Sequence, residues 1–143
     1  MAIQTFKNTM TWTGKGLSVK GGTRGFDVTM DEPKELGGTN TGMNPVEMLL
    51  SSLGGCITIC AAAFAGKCKV DLKGVSVDLE GDLDPAGFLG LVPNTKKGFQ
   101  QIRFKLNIDS PSPQANIDKL IALIDERCPV SDTLKGVEVI ASA

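Results

Sequence analysis

Sulfur is the most reactive chemistry this chain can offer. Its 143 residues include four cysteines and neither histidine nor tyrosine, so the usual bases and proton shuttles near neutral pH are missing. Cys56 lies in an apolar stretch, Met48-Leu49-Leu50-Ser51-Ser52-Leu53-Gly54-Gly55-Cys56-Ile57. Cys128 closes a charged helical stretch and begins Cys128-Pro129-Val130-Ser131-Asp132-Thr133-Leu134. A thiolate needs a lowered pKa and access, and a second thiol can then resolve the oxidised first one.

Four readings compete for these sulfurs. Free cysteine is among the most buried residue types, which makes core packing the ordinary reading of Cys60 and Cys68. Cys60 falls one helical turn after Cys56, but Cβ atoms at that spacing stand about 5–6 Å apart, too far for a disulfide. Zinc favours close ligand pairs on turns, and no histidine is on offer, so no metal is expected. A constitutive disulfide conflicts with a reducing compartment. The remaining reading is a reactive pair, Cys56 with Cys128.

Composition bounds the rest. Hydrophobic residues make up 41% and charged residues 22%, as in soluble globular proteins. The formal net charge is −1, with no long run of either sign, which disfavours nucleic acid or an anionic membrane as partner. The most apolar run, from Met48 to Ala65, is interrupted by hydroxyl residues and glycines and reads as a buried helix rather than a membrane span. The N-terminal residues lack the basic-then-apolar pattern of a secretion signal, so a cytoplasmic location is expected. The length suits a single domain spanning residues 1–143.

The elements that must position the sulfurs are largely readable. Phe6, Met10 and Trp12 alternate with Lys7, Thr9 and Thr11 as in a half-buried strand, and Leu17–Lys20 and Gly25–Met30 read as further strands. Asp31 to Met43 is expected to be a long loop. Asn44 as cap, Pro45 at the first turn and Glu47 three residues past the cap open a helix that stays apolar on nearly every face to Phe64. Val75, Val77 and Leu79 alternate with polar residues, as do Ile102, Phe104, Leu106 and Ile108, predicting two strands joined by a long hairpin connection. Ser112-Pro113 opens a second helix whose Ile117, Leu120, Ile121 and Ile124 share one face. A short helical turn after Cys128 and a last strand over Val137–Ala141 complete an α+β fold, with helices on one face of antiparallel sheet.

Two separated motifs, Asn44-Pro45-Val46-Glu47-Met48-Leu49-Leu50 running to Gly54-Gly55-Cys56, and Cys128-Pro129-Val130-Ser131-Asp132-Thr133-Leu134, resemble those of the OsmC-like proteins. That family includes the organic hydroperoxide resistance proteins. The resemblance covers nearly the whole chain and implies an antiparallel sheet with a long central buried helix and a second amphipathic helix, in an intertwined homodimer. It further implies thiol-dependent reduction of organic hydroperoxides, with Cys56 attacking the peroxide and Cys128 resolving. No Gly-x-Gly-x-x-Gly fingerprint stands between a strand and a helix, so no cofactor is expected and electrons would come from an external thiol or dithiol.

The supporting residues depart from the family pattern. Better-studied members carry a glutamate directly after the helix-opening proline, paired with an arginine from the N-terminal region. Here Val46 takes the glutamate position and Glu47 follows it. At about 100° per residue, position 46 lies about 80° around the helix from Cys56, whereas position 47 lies about 180° away. Glu47 is therefore a candidate catalytic residue whose competing role is the helix cap. The arginine's place falls either to Lys15, in the turn Gly14-Lys15-Gly16, or to Arg24, next to Gly25-Phe26. A basic group, Arg24 or Lys15, is expected to hold the Cys56 thiolate, although lysine lacks arginine's bidentate geometry. The alternative function is a noncatalytic small-molecule-binding or thiol-sensing module on the same fold.

Overall fold

Short Gly-containing turns fold the start of the chain into an antiparallel meander. In the computed structural model, which describes residues 1–136 and 139, β1 (Thr9–Trp12), β2 (Val19–Thr23) and β3 (Phe26–Met30) pair in sequence order. Arg24 and Gly25, at φ 52° and 86°, form the two-residue turn between β2 and β3. Left-handed backbone at both positions suits the right-handed twist of the flanking strands. Every residue of β1 is exposed, including Met10 and Trp12, which corrects the half-buried reading of this strand. Nothing else in its compact unit, Met1–Leu49, covers that apolar side.

The long loop after β3 is organised by one carboxylate. Asp31 is only 2% exposed, and its Oδ2 accepts from the backbone N–H and hydroxyl of both Thr39 and Thr41, at 2.5–3.2 Å. The Thr39 bond above all holds the Asp31 carboxyl well below the usual carboxylate range, against the burial that would raise it. The loop, with one 3-10 turn at Lys34–Leu36, is thereby tied to the end of β3.

Helix α1 (Pro45–Phe64) begins with a reciprocal cap. The Glu47 N–H donates to Asn44 Oδ1 at 2.9 Å, and the Asn44 N–H donates to Glu47 Oε2 at 2.8 Å. This is the capping role read from the sequence. By length and mean hydropathy (1.7) α1 is able to cross a membrane, so those two properties do not by themselves separate a span from the buried helix read from the sequence. Its buried stripe, Leu53, Gly54, Ile57, Cys60 and Ala61, is that of a core helix.

The second unit, Leu50–Ala143, holds the core. β4 (Gly74–Asp82) and β5 (Gln101–Asp109) pair antiparallel over nine positions, with Val75 opposite Ile108, Val77 opposite Leu106 and Leu79 opposite Phe104. Their alternation presents Val75, Val77, Leu79, Ile102, Leu106 and Ile108 to the core; the other face carries Arg103, bonded to Asp82 and Glu80. α2 (Pro85–Leu89) interrupts the connection, capped by the Asp84 carboxylate and stopped by left-handed Gly90. α3 (Gln114–Arg127) contributes Leu120 and Ile124, and α4 (Pro129–Leu134) follows directly. The last predicted strand, Val137–Ala141, lies outside the described residues apart from Val139.

Gly54 sets how closely α1 approaches β4. A Cβ there would stand 2.8 Å from Leu79 Cδ1 and 3.3 Å from Val77 Cγ1, so any other residue would make those two side chains give way. A Cβ at Gly55 would meet nothing within 4 Å. The expectation of a helix buried on most sides is corrected accordingly. One stripe is covered, while Val46, Leu49 and Ile59 stay exposed in the single chain, Ile59 at 70%.

Candidate active site

The two motif cysteines meet. α1 presents Cys56 on its core-facing side, and the junction of α3 and α4 presents Cys128, whose thiol donates to Cys56 Sγ at 3.0 Å. Both are free thiols, at a separation beyond the roughly 2.05 Å of a disulfide. No large backbone movement stands between this pair and a bond.

Their environments differ in the way a division of labour requires. Cys128 is 2% exposed, whereas Cys56 is half-buried. Burial first, and then the hydrogen bond it donates to Cys56, push the Cys128 thiol up from its ordinary pKa; the Ser131 N–H, 3.5 Å from Cys128 Sγ, acts weakly in the other direction. Cys128 is thus a proton-holding thiol. Pro129 starts α4 directly after Cys128, which caps that helix at φ −72°, ψ 107°, fixing the direction of its side chain.

A cavity of about 310 Å³ opens beside the pair on the Cys128 side. Ile57, Phe104, Leu106, Ile121, Ala122 and Ile124 line it, with Asp125, Ser131 and Cys128 adding polar atoms. Ile57 borders this cavity, while Leu53 packs in the core beside it. The β5 and α3 residues were missed as site residues. Their alternating and helical apolar patterns marked them as inward-facing without showing which inward positions line a void.

Cys60 belongs to the same core cluster as Cys128, and Cys68 packs against that cluster, in line with their ordinary reading. Burial first, then the neighbouring Cys128, raise the Cys60 thiol. Sequence had marked only its one-turn spacing from Cys56. Among the described residues no group of three or more Cys, Asp or Glu side chains is placed to hold a metal ion.

The remaining candidates lie in the first unit. Lys15 sits in the β1–β2 turn and lines a polar cavity of about 410 Å³ with Lys20, Thr13, Ser18, Thr29, Thr39 and Thr41. Arg24 places its guanidinium 5.4 Å from the centre of the Phe26 ring. Glu47 has its carboxylate in the α1 cap. Of the other arginines, Arg103 pairs with Asp82 and Glu80, and Arg127 with Glu126.

A family profile described as OsmC-like protein matches residues 38–142. The chain is 28% identical over 115 residues to the hydroperoxide reductase of Mycoplasma genitalium, covering 78% of this chain and 74% of that protein. The hydroperoxide reductase of Mycoplasma pneumoniae is likewise 28% identical, over 116 residues, with the same coverage of each chain. Among solved structures, an OsmC-like protein from Mycoplasma pneumoniae aligns with a TM-score of 0.80 at 24% identity, covering 94% of this chain and 89% of that one. An organic hydroperoxide resistance protein from Legionella pneumophila aligns at 0.65 and 23% identity, covering 95% and 93%. These structural likenesses establish the α+β OsmC-like fold expected from the motifs.

Proposed function

The chain belongs to the OsmC-like family, and from that premise we propose that it is a thiol-dependent peroxidase that reduces organic hydroperoxides to alcohols through Cys56 and Cys128. The observation that carries this reading is the 3.0 Å contact in which buried Cys128 donates to half-buried Cys56. Hydroperoxide reduction is also the activity for which the two mycoplasmal relatives are named.

The steps follow from that geometry. The Cys56 thiolate attacks one peroxide oxygen, the O–O bond breaks, and the leaving alkoxide takes a proton to become the alcohol. Cys56 is left as a sulfenic acid. The Cys128 sulfur, already in contact, attacks the Cys56 sulfur; water leaves and a disulfide forms. An external thiol or dithiol then reduces the disulfide by exchange. The apolar cavity suits an alkyl or aryl substituent, which is why organic peroxides are preferred in this reading over hydrogen peroxide.

The working form is a homodimer in this reading. Its support is the apolar surface the single chain leaves uncovered: Met10 and Trp12 on β1, and Val46, Leu49 and Ile59 on α1. A second copy would also bring the basic group that the second unit's own arginines, engaged elsewhere, do not offer.

The noncatalytic alternative draws on Val46 at the family glutamate position and on the engagement of Glu47 in the cap. Consumption of cumene hydroperoxide in the presence of dithiothreitol separates the two. Turnover that disappears in Cys56→Ser supports the peroxidase; no Cys56-dependent turnover by a folded protein establishes the binding or sensing module.

A further inference from the structure

Cys60 has no part in the two-thiol cycle, yet its position makes it more than core filling. It follows Cys56 by one turn of α1 and shares its face, with Cβ atoms about 5–6 Å apart. Cys128 closes on that same face, 3.0 Å from the Cys56 sulfur, and Cys60 and Cys128 lie in one buried cluster against which Cys56 packs. A Cys56–Cys60 bond is excluded by the helical spacing. A Cys60–Cys128 bond joins two different elements and carries no such restriction. Cys60 thus lies in one cluster with both thiols, near enough for Cys128 to act on its pKa.

We propose that Cys60 is a third redox thiol, which takes the disulfide from Cys56 by thiol–disulfide exchange at Cys128. This rests on the peroxidase reading for the origin of the first disulfide. The Cys60 thiol gives up its proton and its sulfur attacks Cys128 Sγ. The Cys60–Cys128 bond forms as the Cys56–Cys128 bond breaks, and the electron pair leaves with the Cys56 sulfur, which takes up the proton. No net oxidation occurs and no further reactant is needed.

The consequence follows from burial. Cys60 is 8% and Cys128 2% exposed, so the transferred disulfide is shielded from an external reductant, while half-buried Cys56 is freed to meet a second peroxide. With reductant scarce, the protein takes up about two equivalents of peroxide per chain, one held as the buried disulfide and one as the Cys56 sulfenic acid.

The test does not require peroxidase activity. The reduced protein is oxidised with a limiting amount of diamide and sampled over time. Free thiols are blocked with N-ethylmaleimide at acid quench; disulfide sulfurs are then reduced and carbamidomethylated. Tandem mass spectrometry of the peptide carrying both Cys56 and Cys60 locates each label, and Cys68 is followed on a separate tryptic peptide. The carbamidomethyl label is expected first on Cys56 and Cys128, then to move to Cys60 as Cys56 becomes maleimide-labelled. Cys60→Ala and Cys60→Ser should keep the label on Cys56 and lower unassisted cumene hydroperoxide uptake from about two equivalents to about one. A Cys60 that stays maleimide-labelled throughout, while the Cys56–Cys128 disulfide persists, overturns the relay. Label transfer after diamide in a protein that consumes no peroxide would uphold the relay and refute the peroxidase.

Discussion

Gly54 and Gly55 adjoin the thiol site and face opposite environments, which makes Gly54→Ala and Gly55→Ala a paired measurement of how α1 is seated. Replacing glycine by alanine inside a helix stabilises by up to about 1 kcal/mol, because the unfolded chain loses freedom and the backbone gains shielding. At Gly55 that gain stands alone in the single chain, since a Cβ meets nothing within 4 Å. At Gly54 the new methyl would lie 2.8 Å from Leu79 Cδ1 and 3.3 Å from Val77 Cγ1. Crowding of this kind costs about 1–3 kcal/mol, so Gly54→Ala nets a loss of up to about 2 kcal/mol. The two variants should therefore differ by roughly 2 kcal/mol in urea unfolding, or about 4–8 °C in Tm. Displacing α1 from β4 also moves Cys56 relative to Cys128, so diamide closure of that pair should slow in Gly54→Ala alone. Equal stabilisation by both substitutions would refute the helix–strand contact. A Gly55→Ala protein that is less stable and shifts toward monomer in sedimentation would show that a second copy covers that face.

Cys56→Ser should abolish peroxide consumption, whereas Cys128→Ser should retain a single oxidation event, with a dimedone-reactive Cys56 and steady turnover lower by about two orders of magnitude once the contacting thiol is lost. Ala122→Phe, at the rim of the apolar cavity, should raise KM for cumene hydroperoxide about tenfold or more and leave hydrogen peroxide consumption nearly unchanged; equal effects on both substrates would remove the cavity from the substrate path. The pKa values of Cys60 and Cys128 are raised in the folded state, so the stability of their buried neutral thiols is fully present below the unfolded value near 8.5 and is lost as pH rises through the folded values. The urea midpoint of the reduced protein should fall above about pH 8.5, and less steeply in Cys60→Ala. Asp31, with its depressed carboxyl, contributes stability that is present above about pH 4 and lost only as pH falls toward its folded value. Asp31→Asn should accordingly destabilise at neutral pH, because an amide carries no charge and, with its oxygen on the Thr39 and Thr41 donors, turns its own N–H groups toward the Glu32 N–H; the variant should lose this acid dependence.

What was legible was local. The Asn44–Glu47 cap, the alternation of β4 and β5 and the face of α3 follow from neighbours in sequence, and the structure places them where the pattern does. α2 carried its own signals, Asp84 as cap, Pro85 at the first turn and Gly90 at the stop, but its five residues are too few for a periodicity to show. The exposed side of α1 was misread for a different reason. Apolar composition says that a face is costly to leave wet, and nothing about which chain covers it. Cys60 shows the same limit from the other side, since its spacing from Cys56 is local but its approach to Cys128 depends on where α3 ends against α1.

In the peroxidase reading, the roles of the two central thiols come from their surroundings rather than from the residue type they share. A resolving thiol must stay protonated while the partner meets the peroxide; otherwise it is oxidised in its place. Burial and donation to Cys56 keep Cys128 protonated at the edge of the apolar cavity, and the turn into α4 holds it there. Cys56 needs access, and it is the more exposed of the two and accepts the hydrogen bond from Cys128. With Val46 at the family glutamate position, the Cys128–Cys56 bond and the α3–α4 junction are both formed. What Val46 removes is a carboxylate to orient a cation, so in the peroxidase reading activation of Cys56 falls to a point charge. Lys15→Ala and Arg24→Ala, compared for the rate of the first peroxide equivalent, should show one of the two dominating by at least about tenfold, and no effect from either would leave Cys128 alone to organise the site.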